Sequence, residues 1–452
     1  MKKPLPPPDM AQLWSEITND SPQRLYKIFS EGRPVDAKGR YLHWDQMRHR
    51  TPPEGFTLKE WWFGTAASRD KNGRMLPLTG TDGNPFRFTN IDRIQEMVHR
   101  IDKEAGGRIQ TDDIVTTVGS SDRYLVSSLE EEAIASSLLE GAATTRPAAK
   151  ELLRTGRRPR DRSEQMVLNN YLAMLRAEEL ATSGEPLEPD HVLELHRIVA
   201  DGTLDDPSEA GRLQQPGEER VAVIWDDGQV LHRPPPADGL PERLERMCAF
   251  ANGETGEGFL HPVVQAVVLH FWLGHDHPFA DGNGRTARAL FYWSMLRSGY
   301  WLAQYISIST ILRKAPAKYT RSYLHAETDS NDVTYFVDYQ LEVIERAISA
   351  LREYLTRKGT EIAAVERLLR GVPGFNHRQL EVVGKALRDP SAHFTIAGQK
   401  RLHRVAYQSA RTDLLCLEDL GVLRRVQSGR QFEFWPVDDL SDRLRVLAEE
   451  SH

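Results

Sequence analysis

From His261 to Leu273 the chain runs His-Pro-Val-Val-Gln-Ala-Val-Val-Leu-His-Phe-Trp-Leu. Pro262 suits the first position of a helix, and the residues after it are apolar on nearly every side of a 3.6-residue turn. A helix without a polar face must be surrounded by other elements, so this stretch calls for a mainly α fold with a central buried helix. A loop attached to the end of such a helix has a rigid support.

The loop at that end reads His277-Pro278-Phe279-Ala280-Asp281-Gly282-Asn283-Gly284-Arg285-Thr286-Ala287-Arg288. Gly282 and Gly284 lack Cβ atoms, so the backbone can take positive φ and present successive N–H groups to an anion. The next stretch, to Tyr300, carries Ala287, Leu290, Phe291, Trp293, Met295 and Leu296 at helical spacing. The turn therefore opens a helix whose positive end faces the anion. Arg285 and Arg288 stand three apart, on one face, where two guanidiniums can fork onto phosphate oxygens. A carboxylate at Asp281 among phosphates makes sense if a divalent cation bridges them, and Mg²⁺ is the expected ion. His277, at the mouth of the loop, is the candidate general base, and Phe279 is expected to pack the loop onto the core.

At these residues the chain resembles the Fic family, whose signature His-x-Phe-x-Asp/Glu-Gly-Asn-Gly-Arg-x-x-Arg is matched at every defined position. The resemblance implies a helical Fic core and transfer of AMP from ATP to a hydroxyl side chain of a target protein, with pyrophosphate leaving. His277 would be the base, and Asp281 would hold Mg²⁺ on the α- and β-phosphates. Asn283 with the Gly282 and Gly284 backbone would cradle those phosphates, while Arg285 and Arg288 would grip the β- and γ-phosphates. Relatives can use UMP or phosphocholine donors with the same loop, so the signature alone does not name the donor.

Upstream, Ser128-Leu129-Glu130-Glu131 has the pattern of a capping box and Ser136-Ser137-Leu138-Leu139-Glu140-Gly141 closes the same stretch. Together they predict a short helix over about 128–141, with Gly141 as the left-handed residue after its end. In Fic proteins a Ser/Thr-x-x-x-Glu-Gly/Asn helix is inhibitory, its Glu pairing with the second arginine of the signature. Here the pair would be Glu140 with Arg288, supported by a hydrogen bond from Ser136 to the glutamate. Such a glutamate also serves removal of AMP in some relatives, so the direction of reaction stays open.

Glu219 to Pro236 holds two β-prone runs joined by Asp226-Asp227-Gly228 and predicts a hairpin. The resemblance implies a flap that registers the target by strand addition, with Ala222, Val223, Ile224 and Trp225 as the docking edge. His261, His270, His275 and Asp276 form a second candidate cluster, either a phosphohydrolase-type metal site or buried histidines with separate partners. Tyr319 and Tyr323 border the adenine or pack in the core.

The net charge of −7, two distant cysteines (Cys248 and Cys416) and the absence of a long apolar run fit a cytoplasmic protein with no disulfide framework and no membrane segment. The first eight residues, Met-Lys-Lys-Pro-Leu-Pro-Pro-Pro, lack a signal-peptide apolar core. Three parts are expected. Residues 1–115 are a Trp-rich extension (Trp14, Trp44, Trp61, Trp62) whose tryptophans pack or bind a target. Residues 116–358 are the Fic unit with its inhibitory helix. Residues 365–452 have the order of a winged helix-turn-helix, in which Gln408, Arg411 and Thr412 would face a DNA groove. Residues 395–430 hold 7 Lys/Arg against 3 Asp/Glu, so a locally basic face exists. ATP and a target protein are the expected partners, with DNA and a second copy of the chain as further candidates, and a DNA-binding regulator is the alternative function.

Overall fold

The computed structural model describes residues 3–20, 22–106, 118–224, 228, 230–256, 258–370, 375–388, 392–428 and 431–449; for 19–20, 22, 118–127, 358–359, 361–370, 388, 428, 431 and 448–449 it describes the backbone alone. Two compact units are present, Met1–Ala350 and Leu351–His452, and the division falls inside the helix Thr334–Arg370. That helix runs past residue 358, the expected end of the Fic unit, because the segment after Tyr354 is rich in good helix formers and free of proline. Among the described residues no helix is long and apolar enough to cross a membrane.

The first unit is helical around Pro262–Asp276. His261 caps this helix, its Nδ1 accepting from the Val263 N–H at 3.3 Å, and Val263, Val267, Phe271 and Leu273 are wholly buried. The helix Asn283–Arg297 packs beside it and in turn meets Arg162–Ser183 and Pro189–Ala200. Val118–Leu139 lies on Arg162–Ser183, with Ile134, Ala149 and Val167 forming a small shared core. This helix is longer than the expected one. Ser128 and Glu131 fall in its middle, where the backbone N–H groups are already bonded within the helix, so they form no capping box.

The segment expected as a separate extension lies within the first unit. It contributes the helices Met10–Asp20, Pro22–Glu31, Leu58–Asn72 and Asp92–Ala105 and an antiparallel hairpin, Gly73–Thr79 with Pro85–Thr89. Arg69, fully buried, ties it to the core: Nη1 donates to Tyr335 Oη at 2.6 Å, Nη2 to the Leu42 carbonyl at 3.0 Å, and its guanidinium lies 3.7 Å from the Tyr41 ring. Arg87 and Asn331 add a backbone bond, Arg87 N to Asn331 O at 2.9 Å, beside a parallel bridge between Arg87 and Asp332. Trp44 and Trp62 stack edge-to-face in the core, whereas Trp14 is 47% exposed.

The second unit places His377–Arg388, Ile396–His403 and Tyr407–Asp419 around a three-stranded antiparallel sheet in the order Phe394–Thr395, Gln431–Pro436, Leu423–Ser428. Val383, Leu414, Leu417, Val422 and Leu444 are its innermost side chains. Leu423–Ser428 pairs antiparallel with Gln431–Pro436, and residues 429–430 between them lie outside the described residues. Cys248 is buried, Cys416 half-buried, and both are free thiols.

Candidate functional site

The central helix ends in a bend made by His277 itself, with φ 45°, a left-handed conformation costly for a residue carrying a Cβ. Backbone carbonyls at that end are gathered by one guanidinium. Arg220 Nη2 donates to Asp276 O at 2.7 Å and His277 O at 3.0 Å, and its Nε to Pro235 O at 2.8 Å. The Gln214 N–H donates to Pro278 O at 2.9 Å, closing the same side of the loop.

Inside the loop, Phe279 is fully buried and stacks on His196 with centroids 3.7 Å apart and planes 3° from parallel. The Asn283 amide bonds both main-chain groups of Phe279, accepting from its N–H at 2.9 Å and donating to its carbonyl at 2.8 Å. The Asn283 side chain thus holds the loop shape through two bonds to Phe279. His196 accepts from the Gly211 N–H on Nδ1 at 3.0 Å, so its proton sits on Nε2 and is donated to Asp281 O at 2.9 Å. Burial pushes the His196 imidazole down to about 4, consistent with this neutral tautomer. Gly282, with φ 84°, takes the bend that starts the next helix, and a Cβ there would press on Val199 at 3.0 Å.

Asp281 is the exposed carboxylate of the site, with 48% of its side chain open. Its Oδ1 accepts from the Gly282 N–H at 2.6 Å and its Oδ2 from Arg285 Nη2 at 3.3 Å. Arg285, with no exposed surface, also donates Nη1 to Val199 O at 3.1 Å. Arg288, 1% exposed, donates Nε to Ser136 Oγ at 2.8 Å and Nη2 to Glu140 Oε1 at 2.7 Å. Ser136 therefore braces the arginine, because its hydroxyl lies on the inner face of the helix while Glu140 comes after the helix end at Leu139. Gly141 takes φ 90°, as expected of the residue after a helix end. The Glu140 carboxylate lies directly over Gly284, so that a Cβ at 284 would run into Oε1 and sit 2.8 Å from Cδ. An anion thus already occupies the positive end of the signature helix.

Among the described residues, three buried nitrogens on the signature have no hydrogen-bond partner: His277 Nδ1, Arg285 Nε and Arg288 Nη1. Burial pushes the His277 imidazole down to about 3, and the charges of His232, Arg220 and His275 push the same way, so His277 is neutral and has a lone pair to offer. For Arg288, burial opposes the charge, but Glu140 and then Tyr319 hold its proton affinity above the ordinary value.

The expected flap is short: Val223–Ile224 pairs antiparallel with Val230–His232. Among the described residues this sheet has two strands, so Val223–Ile224 keeps an unpaired edge; Ala222 is half-buried, Ile224 is 58% exposed, and Trp225 lies outside the described residues. The weighed histidine cluster does not converge. His261 pairs with Asp102 at 3.0 Å, His270 with Tyr319 Oη at 2.9 Å and His275 with Asp276 at 3.2 Å. Tyr323 stacks on Phe271 and crowds Gly274, and the half-buried Tyr319 bonds His270 and stands beside Arg288. In the second unit Gln408, Arg411 and Thr412 are exposed.

Sequence reasoning missed His196 and Arg220. His196 could have been found on the inward face of Pro189–Ala200, in step with Val192, Leu195 and Val199. Arg220 left no signal, since it acts on carbonyls 56 and 57 residues away.

Residues 186–295 match the Fic/DOC family. Over 109 residues, 24% of this chain, it is 39% identical to the protein adenylyltransferase Fic of Drosophila grimshawi and 38% identical to that of Drosophila melanogaster. The chain spans about 20% of the length of these curated relatives. The fold is similar to a crystal structure of a Fic family protein from Desulfovibrio desulfuricans G20, with a TM-score of 0.50 and 21% identity over 77% of this chain and 97% of the other. The matched segment contains the signature loop, its supporting helix and the flap, so the likeness to Fic/DOC proteins falls on the site-bearing part of the chain.

Proposed function

We propose that the chain is a protein adenylyltransferase that restrains itself through Glu140. The observation that carries this reading is the pairing of a complete phosphate-binding loop with a carboxylate seated on it: Glu140 lies over Gly284 and bonds Arg288 at 2.7 Å. The homologous segments of the Drosophila adenylyltransferases support the choice of reaction.

When Glu140 swings away, Arg288 is free to hold a terminal phosphate, with Ser136 keeping its guanidinium in place. The N–H groups after Gly282 receive the inner phosphates. Asp281, half exposed and beside Arg285, fits the carboxylate that would hold Mg²⁺, which when bound neutralises phosphate charge. A target segment laid along Val223–Ile224 would bring its hydroxyl to His277. The neutral imidazole takes the hydroxyl proton as the oxygen bonds the α-phosphorus, the bond to the bridging oxygen breaks, and pyrophosphate leaves with that electron pair. Nearby phosphate charge raises the proton affinity of His277, offsetting the depression caused by burial and cations.

The test is double-label transfer with the Glu140→Gly form. Label at the α-phosphate of ATP is expected in protein, and label at the γ-phosphate is not. Incorporation of γ-label, or transfer from UTP or CDP-choline in preference to ATP, would replace the proposed donor chemistry.

A second reading concerns Leu351–His452 as a winged helix-turn-helix on DNA. Lys400, Arg401, Arg404 and Arg411 are exposed and have no ion-pair partner among the described residues. Arg404 takes φ 54° at the turn between the two helices, a place where glycine is less costly. Anisotropy of labelled duplex DNA is expected to rise on binding with a steep salt dependence; absence of binding at low salt assigns this face to protein contact.

A further inference from the structure

Beside the signature loop, three side chains that the transfer scheme does not use face one another. They are His232 on the second flap strand, His275 near the end of the central helix and Glu327 on the helix Pro316–Thr328. One ligand-capable atom from each lies within 4.8 Å of the other two.

The far nitrogens of both imidazoles are anchored. His232 Nε2 donates to the backbone carbonyl of His275 at 2.7 Å, and His275 Nδ1 donates to Asp276 Oδ1 at 3.2 Å. Asp276 is itself held by Arg243 and, at 3.0 Å, by the Trp272 indole N–H. These bonds leave Nδ1 of His232 and Nε2 of His275 as the nitrogens able to offer a lone pair. An imidazole fixed through a carboxylate or main-chain carbonyl, with its other nitrogen turned to a shared space, is how metal-binding histidines are oriented.

We infer that His232, His275 and Glu327 form a binding site for a divalent transition-metal ion of the zinc class, distinct from the Asp281 position. Two imidazoles and one carboxylate suit zinc or cobalt, whereas magnesium prefers an all-oxygen shell. Metal–ligand bonds of about 2.1 Å in tetrahedral geometry place ligand atoms roughly 3.4 Å apart. Ring tilts and a swing of the Glu327 carboxyl close the remaining gap. His232 and His275 are buried and the Glu327 side chain is 18% exposed, so the approach is from the glutamate side.

The competitor for this site is a proton. His232 Nδ1 and Glu327 Oε2 stand 2.9 Å apart. A metal ion displaces that proton. Once bound, it ties the flap strand to the helix turn that carries His277, two residues beyond His275.

The experiment is titration of Co²⁺ into the full chain, read by visible absorption, with Mg²⁺ present in excess. One equivalent with tetrahedral absorption, displaced by Zn²⁺ and untouched by Mg²⁺, is expected. His232→Gln and Glu327→Gln, with folding checked by circular dichroism, should each weaken binding by at least about tenfold. X-ray absorption of the zinc-loaded native chain supplies a readout independent of any variant, and two imidazoles with oxygen ligands are expected. No stoichiometric cobalt spectrum, undiminished binding in both variants, or a thiolate shell overturns the inference.

Discussion

One methyl group at position 284 separates the brake from the anion site it covers. Gly284 lies in the first turn of the signature helix, and an added Cβ would collide with Glu140 Oε1 and stand 2.8 and 3.1 Å from Cδ and Oε2. The far end of a glutamate moves more cheaply than the helix, so in Gly284→Ala the carboxylate leaves Arg288. Alanine in place of glycine adds up to about 1 kcal/mol of helix stability, and the lost charge-assisted hydrogen bond costs about 1.5–3 kcal/mol. Net destabilisation should therefore be small, about 1–2 kcal/mol by denaturant titration. Transfer behaves differently. The methyl stands where phosphate oxygens must approach the backbone, and a displacement of about 1 Å at that point costs on the order of 100-fold in rate. In the Glu140→Gly background, where the carboxylate is gone, Gly284→Ala should lower α-label incorporation by that factor while the fold persists. Equal rates for Glu140→Gly with and without the added methyl would refute the placement of phosphate over Gly284.

Arg220→Gln, which loses the fork onto the Asp276 and His277 carbonyls, should lower kcat about 10- to 100-fold with KM for ATP little changed, measured in the Glu140→Gly background. Arg69→Met should cost about 3–5 kcal/mol of stability to denaturant, because it leaves the buried Asp329 without its cation. Acid should unfold the first unit early. Burial pushes His43, His270 and His325 from 6.5 down to about 3, so the unfolded chain binds protons that the folded chain refuses. Their stability contribution is complete above about pH 6.5 and falls by about 1–2 kcal/mol per histidine between pH 6.5 and 5, seen as a declining thermal midpoint. His232, whose proton affinity is raised, works weakly in the opposite direction.

The loop was legible because its parts are consecutive: glycine freedom, helix onset and arginine spacing all act within twelve residues, and Phe279 packs as its chemistry suggests. Glu140 and Arg288 stand 148 residues apart, and only the resemblance joined them before the structure put them 2.7 Å from each other. Where local patterns misled, tertiary contacts decided. Ser136 turns to Arg288, and Ser128 lies within a helix that starts ten residues earlier. The contacts of Arg69 with Tyr41 and Tyr335, which join the N-terminal segment to the core, carry no periodicity along the chain.

The most direct measurement of the central claim is incorporation of α-labelled ATP into protein by three forms under one condition with Mg²⁺: native, Glu140→Gly, and Glu140→Gly with His277→Ala. Self-restraint through Glu140 and proton removal by His277 predict little label for the native chain, at least about tenfold more for Glu140→Gly given the loss of a charge-assisted bond, and none above background for the double variant. Labelling by Glu140→Gly no higher than native, or labelling that survives loss of His277, contradicts self-restraint or base catalysis respectively.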